Sequence, residues 1–326
     1  MRIVLTSFCE APAIILDIPA RPRHLTARSN LRTATMNPTL IGLAAIAMWA
    51  LLALMTAASG AVPPFQLLAM TFAIGAACGF VTWPFRPNVA ARLKLPATVW
   101  ATGIGGLFGY HFFYYTALRN APVAEASLIA YLWPMLIVLG SALLPGERLR
   151  WFHIAGAACG FAGAVLLVTG RAGPLQFSGS TLGYLSALAC ALIWSTYSIL
   201  SRAQRAASSD AVAVYCLATA VLSLVCHLAF ETTVWPQGAR QWLAVAGLGL
   251  MPVGLAFYAW DHGVKHGNIQ LLGSAAYLAP LISTAILVAA GFAAPTWQLG
   301  LAAVLVTLGA LVASGRWRPL PARAGT

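Results

Sequence analysis

From residue 38 to residue 315 the chain is a succession of apolar runs of about 20 residues, with only short gaps between them. A run of that length, wound as a helix rising about 1.5 Å per residue, crosses a hydrocarbon core of about 30 Å while bonding its own backbone groups. The runs fall at about 38–58, 62–84, 96–117, 122–144, 150–169, 179–202, 209–231, 239–262, 268–291 and 295–315. Only 8% of the residues are charged and 60% are apolar. A typical soluble domain carries about 25% charge, so this chain could not coat a water-exposed surface. The expected fold class is all-α, a polytopic membrane protein of ten transmembrane helices.

The charges that remain set a direction. Lys and Arg number 19 against 7 Asp and Glu, a net charge of +12. With the N-terminus inside, 16 of the 19 basic residues fall on the cytoplasmic side, and only Arg119, Arg171 and Arg240 fall outside. That asymmetry predicts a plasma (inner) membrane protein with both termini cytoplasmic, and it explains the basic balance without a nucleic-acid partner. Residues 1–37, rich in Arg and Pro, are expected to form a disordered cytoplasmic tail, and residues 316–326 a second one. The lipid bilayer is one expected partner and a small-molecule substrate the other; no obligate protein partner is evident. Five of the six cysteines lie inside apolar runs, and none has a neighbour at metal-ligand spacing. No metal or cofactor is expected.

The chain also repeats itself. The segment AYLWP at Ala130–Pro134 recurs as AYLAP at Ala276–Pro280, an offset of 146 residues. The same offset relates Gly103 to Gly249, Arg119 to Lys265, Trp151 to Trp297 and Gly163 to Gly309. Two five-helix halves follow, 38–169 and 179–315. Because five is odd, the second half enters the membrane from the opposite side, which makes the halves inverted repeats. That architecture suits alternating access, since exchanging the conformations of the halves turns a cavity from one side to the other.

Ten spans in a five-plus-five inverted repeat, with a Trp in the opening helix of each half, a Gly-rich third helix and the YLWP and YLAP fourth helices, resemble the drug/metabolite transporter superfamily in its branch with paired EamA-type repeats. The aromatic stretch GYHFFYYTALRNAPVAEASLIAYLWP is most similar to exporters of aromatic amino acids. The resemblance implies a membrane transporter exporting amino acids and related metabolites by alternating access.

The motifs exclude other classes. The chain has no H-E-x-x-H, no phosphate-binding loop and no G-x-S-x-G, so no enzyme and no nucleotide-driven pump is expected. None of its acids falls at a predicted bilayer midplane, where a coupled carrier usually holds its ion or proton. The expectation is an uncoupled facilitator. The alternative is an exporter of drugs or other small metabolites on the same fold, proton-coupled through His111, the one deep titratable side chain. A channel is the rival of another class.

Trp83, Trp151, Trp235, Trp242, Trp297 and Trp317 sit at span ends, as interfacial anchors do. Trp49, Tyr131, Trp133, Trp194 and Tyr277 lie near span centres, where their N–H and O–H groups need partners or a wet cavity. Tyr110 and Tyr114 share one helix face, with His111 and Tyr115 beside them. An aromatic-walled cavity with a few polar tips suits an amphipathic solute; helix packing is the competing use of the same residues. The resemblance favours Trp49, Tyr110, His111, Tyr114, Tyr131, Trp133 and Trp194 as substrate-binding residues, with Tyr258 and Tyr277 as second-half candidates. Pro134 and Pro280, equivalent in the repeat, and Pro252 are the expected hinges, each removing a helical hydrogen bond. Gly103, Gly105, Gly106 and Gly109 are expected to let the third span pack closely.

Overall fold

A computed structural model describes residues 36–173, 175–291 and 294–314. Apart from Met36 and Asn37, the two expected tails lie outside the described residues, as does Trp317. Among the described residues all regular structure is helical. Nine helices among the described residues are long and apolar enough to cross a membrane: α1 (Pro38–Ala58), α2 (Pro64–Phe85), α4 (Val123–Leu143), α5 (Trp151–Gly170), α6 (Thr181–Ala203), α7 (Ala211–Phe230), α8 (Gly238–His266), α9 (Ile269–Ala289) and α10 (Trp297–Ser314). Between α2 and α4 runs α3 (Ala97–Asn120), 24 residues long. It is less apolar, because Thr102, Tyr110, His111, Tyr114, Tyr115, Thr116 and Arg119 lie along it. The apolar runs read from the sequence coincide with these helices. The largest departure is at the end of α8, expected at 262 and found at His266; Lys265, read as a loop residue, therefore lies inside the helix.

Local chemistry sets several starts. The Asn37 side chain accepts from the Thr39 N–H at 2.9 Å and Pro38 occupies the first turn of α1. Ser180 and Asn268 cap α6 and α9 in the same way, accepting from Gly183 and Leu271. The most extensive helix pairings are α5 with α10, α3 with α6, α2 with α7 and α1 with α8. Two crossings are backbone against backbone. A Cβ added at Gly263 of α8 would lie 2.5 Å from the Gly42 Cα of α1, and one added at Gly156 of α5 would lie 2.4 Å from the Gly309 carbonyl oxygen of α10.

Besides α2, which gives way to a 3-10 turn at Trp83–Phe85, four helices are interrupted. α4 breaks between Ala130 and Trp133, and α9 between Ala275 and Leu278, 145 residues apart and so within one residue of the repeat offset of 146. In each the proline just beyond, Pro134 or Pro280, has no N–H to return to the carbonyl four residues earlier. α8 widens into a π-turn over Met251–Leu255, which contains Pro252. The expected proline sites are therefore real interruptions. α1 breaks after Trp49 with no proline or glycine at the break, a feature invisible in the sequence. There the Trp49 indole donates to the Pro252 carbonyl at 3.1 Å, joining the break in α1 to the π-turn in α8.

The glycines of α3 divide by use. Rings of Tyr215 and Tyr197 fill the notches at Gly103 and Gly106, Gly109 is in ordinary contact with Ile193, and Gly105 faces open space. Packing explains two of the four.

If the α4 interruption is a working hinge, Pro134→Ala restores one hydrogen bond of about 1 kcal/mol and biases the helix toward one conformation by about fivefold. The expected result is at least about a fivefold slower turnover at unchanged expression, read by initial-rate transport. A normal rate would make the kink static.

Candidate functional site

A cavity lies beside the interruptions in α1, α4 and α8. It is lined by Leu52 and Thr56 of α1, Leu67, Leu68 and Thr71 of α2, Tyr110, His111, Tyr114 and Tyr115 of α3, Ser127, Ala130, Tyr131 and Trp133 of α4, and Leu248 and Val253 of α8. These positions fall in the C-terminal halves of α1 and α3 and the N-terminal halves of α2 and α4. In an antiparallel succession those halves share one end of the bundle. The cavity holds about 140 Å³, smaller than the roughly 300–1,000 Å³ of drug-sized ligand sites. None of its described lining residues is charged.

Its polar tips are few. His111 Nδ1 lies 2.7 Å from the Leu107 carbonyl. A carbonyl only accepts, so the neutral ring carries its proton on Nδ1 and keeps Nε2 as an acceptor. The Tyr114 hydroxyl is 3.4 Å from Ser127 Oγ, and the Tyr110 and Tyr114 rings stack at 5.9 Å. Thr71 bonds back to the Leu67 carbonyl at 2.8 Å.

A cluster of indoles packs behind the lining as a floor, and of these only Trp133 reaches the cavity itself. Trp49 meets Trp194 at 5.7 Å and Trp260 at 5.1 Å between ring centroids, and Trp133 meets Trp260 at 5.8 Å. Phe257 stacks on Phe72 at 5.4 Å, and Phe72 in turn abuts His111 at 5.1 Å. The Trp260 indole donates to Ser198 Oγ at 3.1 Å, which satisfies its one polar atom inside the core.

Five of the nine sequence candidates, Tyr110, His111, Tyr114, Tyr131 and Trp133, line the cavity together. Trp49 and Trp194 stand in the floor. Tyr258 and Tyr277 do not reach it. Tyr258 points to α2 and donates to the Gly75 carbonyl at 3.0 Å. Tyr277 is fully buried beside Gly160 of α5, in a cluster with Ala302 and Val306 of α10. Its hydroxyl donates to the Tyr131 carbonyl at 3.2 Å, a bond between residues one repeat offset apart. Helical phase is the reason on α8: Leu248 and Val253 line the cavity, Phe257 and Trp260 pack into the indole cluster behind it, and Tyr258 is turned to α2. Trp260 lies two residues from the end of the run at 239–262, where a Trp reads as an interfacial anchor, so it gave no signal for that cluster. The leucines, valine and hydroxyls of the wall carry no signal distinguishing them from packing.

The ends of the bundle are tied by charge. At the end away from the cavity, Asp210 pairs with Arg86 at 2.5 Å and Arg92 at 3.2 Å. Glu147 pairs with Arg202 at 2.5 Å and accepts from Gln270 at 3.1 Å. At the cavity end, Glu231 accepts from Arg119 at 2.8 Å and from the first N–H groups of α2. Glu125 accepts from Tyr184 and from the backbone of Gln176 and Phe177. These acids lie near helix ends and away from the midplane, as expected, and Glu125, Asp210 and Asp261 are buried and partnered there.

The chain has matches among known proteins. The EamA-like transporter family matches twice, over residues 37–169 and 181–315. The aromatic amino acid exporter YddG of Ancylobacter novellus is 55% identical over 277 residues, 85% of this chain and 96% of that protein. The aromatic amino acid exporter YddG of Salmonella typhimurium is 29% identical over 209 residues, 61% of this chain and 69% of that protein. A solved crystal structure superposes with a TM-score of 0.81 at 54% identity, covering 85% of this chain and 96% of that one.

Proposed function

The chain belongs to the EamA-like transporter family, and on that premise we propose that it exports amino acids, aromatic ones foremost, by alternating access and without ion coupling. It is a multi-pass membrane transporter and not an enzyme. The observation that carries the narrower reading is the cavity: aromatic walls, uncharged tips and a floor of indoles. Such a site stacks an apolar side chain, while the Tyr hydroxyls and His111 Nε2 meet the ammonium and carboxylate ends. Without a fixed charge beside it, a zwitterion is held weakly and released. The names of the YddG relatives support the same substrate class.

In this reading α3 is the tenth span, less apolar because one face of it lines the site, and the halves 38–169 and 179–315 are inverted repeats. The pairings support that symmetry: α2 with α7 and α5 with α10 map onto themselves when the halves are exchanged, and α3 with α6 maps onto α8 with α1. Both termini are cytoplasmic, so the cavity faces outward and the ion pairs of Asp210 and Glu147 close the cytoplasmic end. The interruptions at Pro134, Pro252 and Pro280 are the hinges.

The test is competition in proteoliposomes. Labelled phenylalanine uptake is expected to be inhibited by tryptophan and tyrosine at concentrations at least about 10-fold below those needed of alanine, about 1.4 kcal/mol of side-chain recognition. Equal inhibition by alanine, or none by any amino acid, would refute the substrate assignment.

A further inference from the structure

Beneath the indole floor a second polar feature lies outside the cavity. Phe257, Asp261 and Lys265 stand four residues apart on one face of α8. Each step descends about 6 Å toward the cytoplasmic end. Phe257 belongs to the floor, 5.7 Å from Trp194. Asp261 and Lys265 are 1% and 3% exposed and pair at 2.8 Å. Asp261 Oδ2 also accepts from Ser209 Oγ at 2.5 Å, and Lys265 donates to the Ala207 carbonyl at 3.0 Å. The other carboxylate oxygen, Asp261 Oδ1, is buried with no hydrogen-bond partner, a costly state for a charged acceptor.

The level of this pair is where the bundle is sealed. Tyr215 and Tyr197 close α7 and α6 onto the glycine notches of α3. A solute entering from the cytoplasm must part these helices and then meets Asp261 and Lys265 before the floor. Opened, the two side chains present one anion and one cation a helical turn apart, with an unfilled acceptor on the anion. An amino acid carries the same two charges at one end. It can replace the pair ion for ion, so no lone charge is left in the membrane at any step.

We propose that Asp261 and Lys265 form a cytoplasmic entry site for a zwitterionic amino acid, the Asp261 carboxylate taking the α-ammonium group and the Lys265 ammonium taking the α-carboxylate. The inference rests on the amino acid exporter reading and adds a second, charged site to the uncharged one above it. The entry site selects for the backbone ends, and the aromatic cavity selects for the side chain.

The test uses the full chain in vesicles of each orientation. Asp261→Asn with Lys265→Gln removes the pair without stranding either charge. The half-saturating phenylalanine concentration at the cytoplasmic face is expected to rise at least about 10-fold, with less than about a threefold change at the outer face. Lys265→Gln alone is expected to weaken phenylalanine but not phenylethylamine, which lacks the carboxylate. A double variant with wild-type affinity at the cytoplasmic face, or a single variant that weakens both compounds alike, would overturn the site. The unaltered protein gives an independent arm: at the cytoplasmic face phenylalanine should compete at least about 10-fold better than phenylethylamine or 3-phenylpropionate, and equal competition would overturn the proposal as well. Should the unaltered protein carry no phenylalanine at all, the exporter reading itself fails; carriage by it with unaffected variants defeats the entry site alone.

Discussion

Trp133→Ala is expected to lower phenylalanine transport at limiting substrate by roughly 30-fold, the equivalent of about 2 kcal/mol at a buried aromatic anchor. Trp133 joins the wall to the floor: it lines the cavity and also packs edge-on to Trp49, Trp194 and Trp260 at 6.3, 6.3 and 5.8 Å. Truncating it removes a stacking surface and leaves a void where the substrate side chain should end. It also follows the break in α4 directly, so its position depends on the interruption. Trp133→Phe keeps a ring in the same place and is expected to retain most of the activity. The paired measurement separates loss of recognition from loss of fold, because thermal stability of both purified variants can be compared with their transport.

The second large effect concerns assembly. Gly263→Val is expected to abolish recovery of folded protein, with a destabilisation of about 3 kcal/mol or more. The Cβ would meet the Cα and N of Gly42 at 2.5 and 2.9 Å. These are backbone atoms of a neighbouring helix, which no rotamer change can move aside. The α1–α8 crossing would have to open, and with it the Trp49–Pro252 bond that links the two irregular helices. Gly105→Val is the contrast: nothing lies within 4 Å of its Cβ position, and the variant should be recovered at wild-type yield. Size-exclusion profiles of the two in detergent read both outcomes.

Much of this fold was legible because membrane spans announce themselves by length and apolarity alone. Ten runs were written into the sequence, and the helices coincide with them. The one helix below the apolar threshold, α3, is also the one carrying Tyr110, His111 and Tyr114, so its polarity marks the cavity. The proline interruptions were equally visible, since a missing N–H is a property of one residue. What failed to show depends on contacts across the chain. The break after Trp49 lies beside a hydrogen bond from its indole to the carbonyl of residue 252. The orientations of Tyr258 and Tyr277 depend on helical phase, which shifts at each break and π-turn. The burial of Asp261 and Lys265 was hidden because a charge near a helix end reads as solvated until another helix covers it.

The Tyr277–Tyr131 bond shows what the repeat contributes. Related residues occupy unlike places: Tyr277 is packed between α9 and the α5–α10 pair, and Tyr131 lines the cavity. A pair of halves in different conformations at one moment is what alternating access requires.

Counterflow tests the central claim most directly. Vesicles loaded with unlabelled phenylalanine are diluted into labelled phenylalanine, with and without an imposed pH gradient. An uncoupled carrier with an outward-facing aromatic site predicts a transient, saturable overshoot of label whose size is the same in both conditions. Uphill accumulation that follows the pH gradient, or uptake that never overshoots, would contradict it.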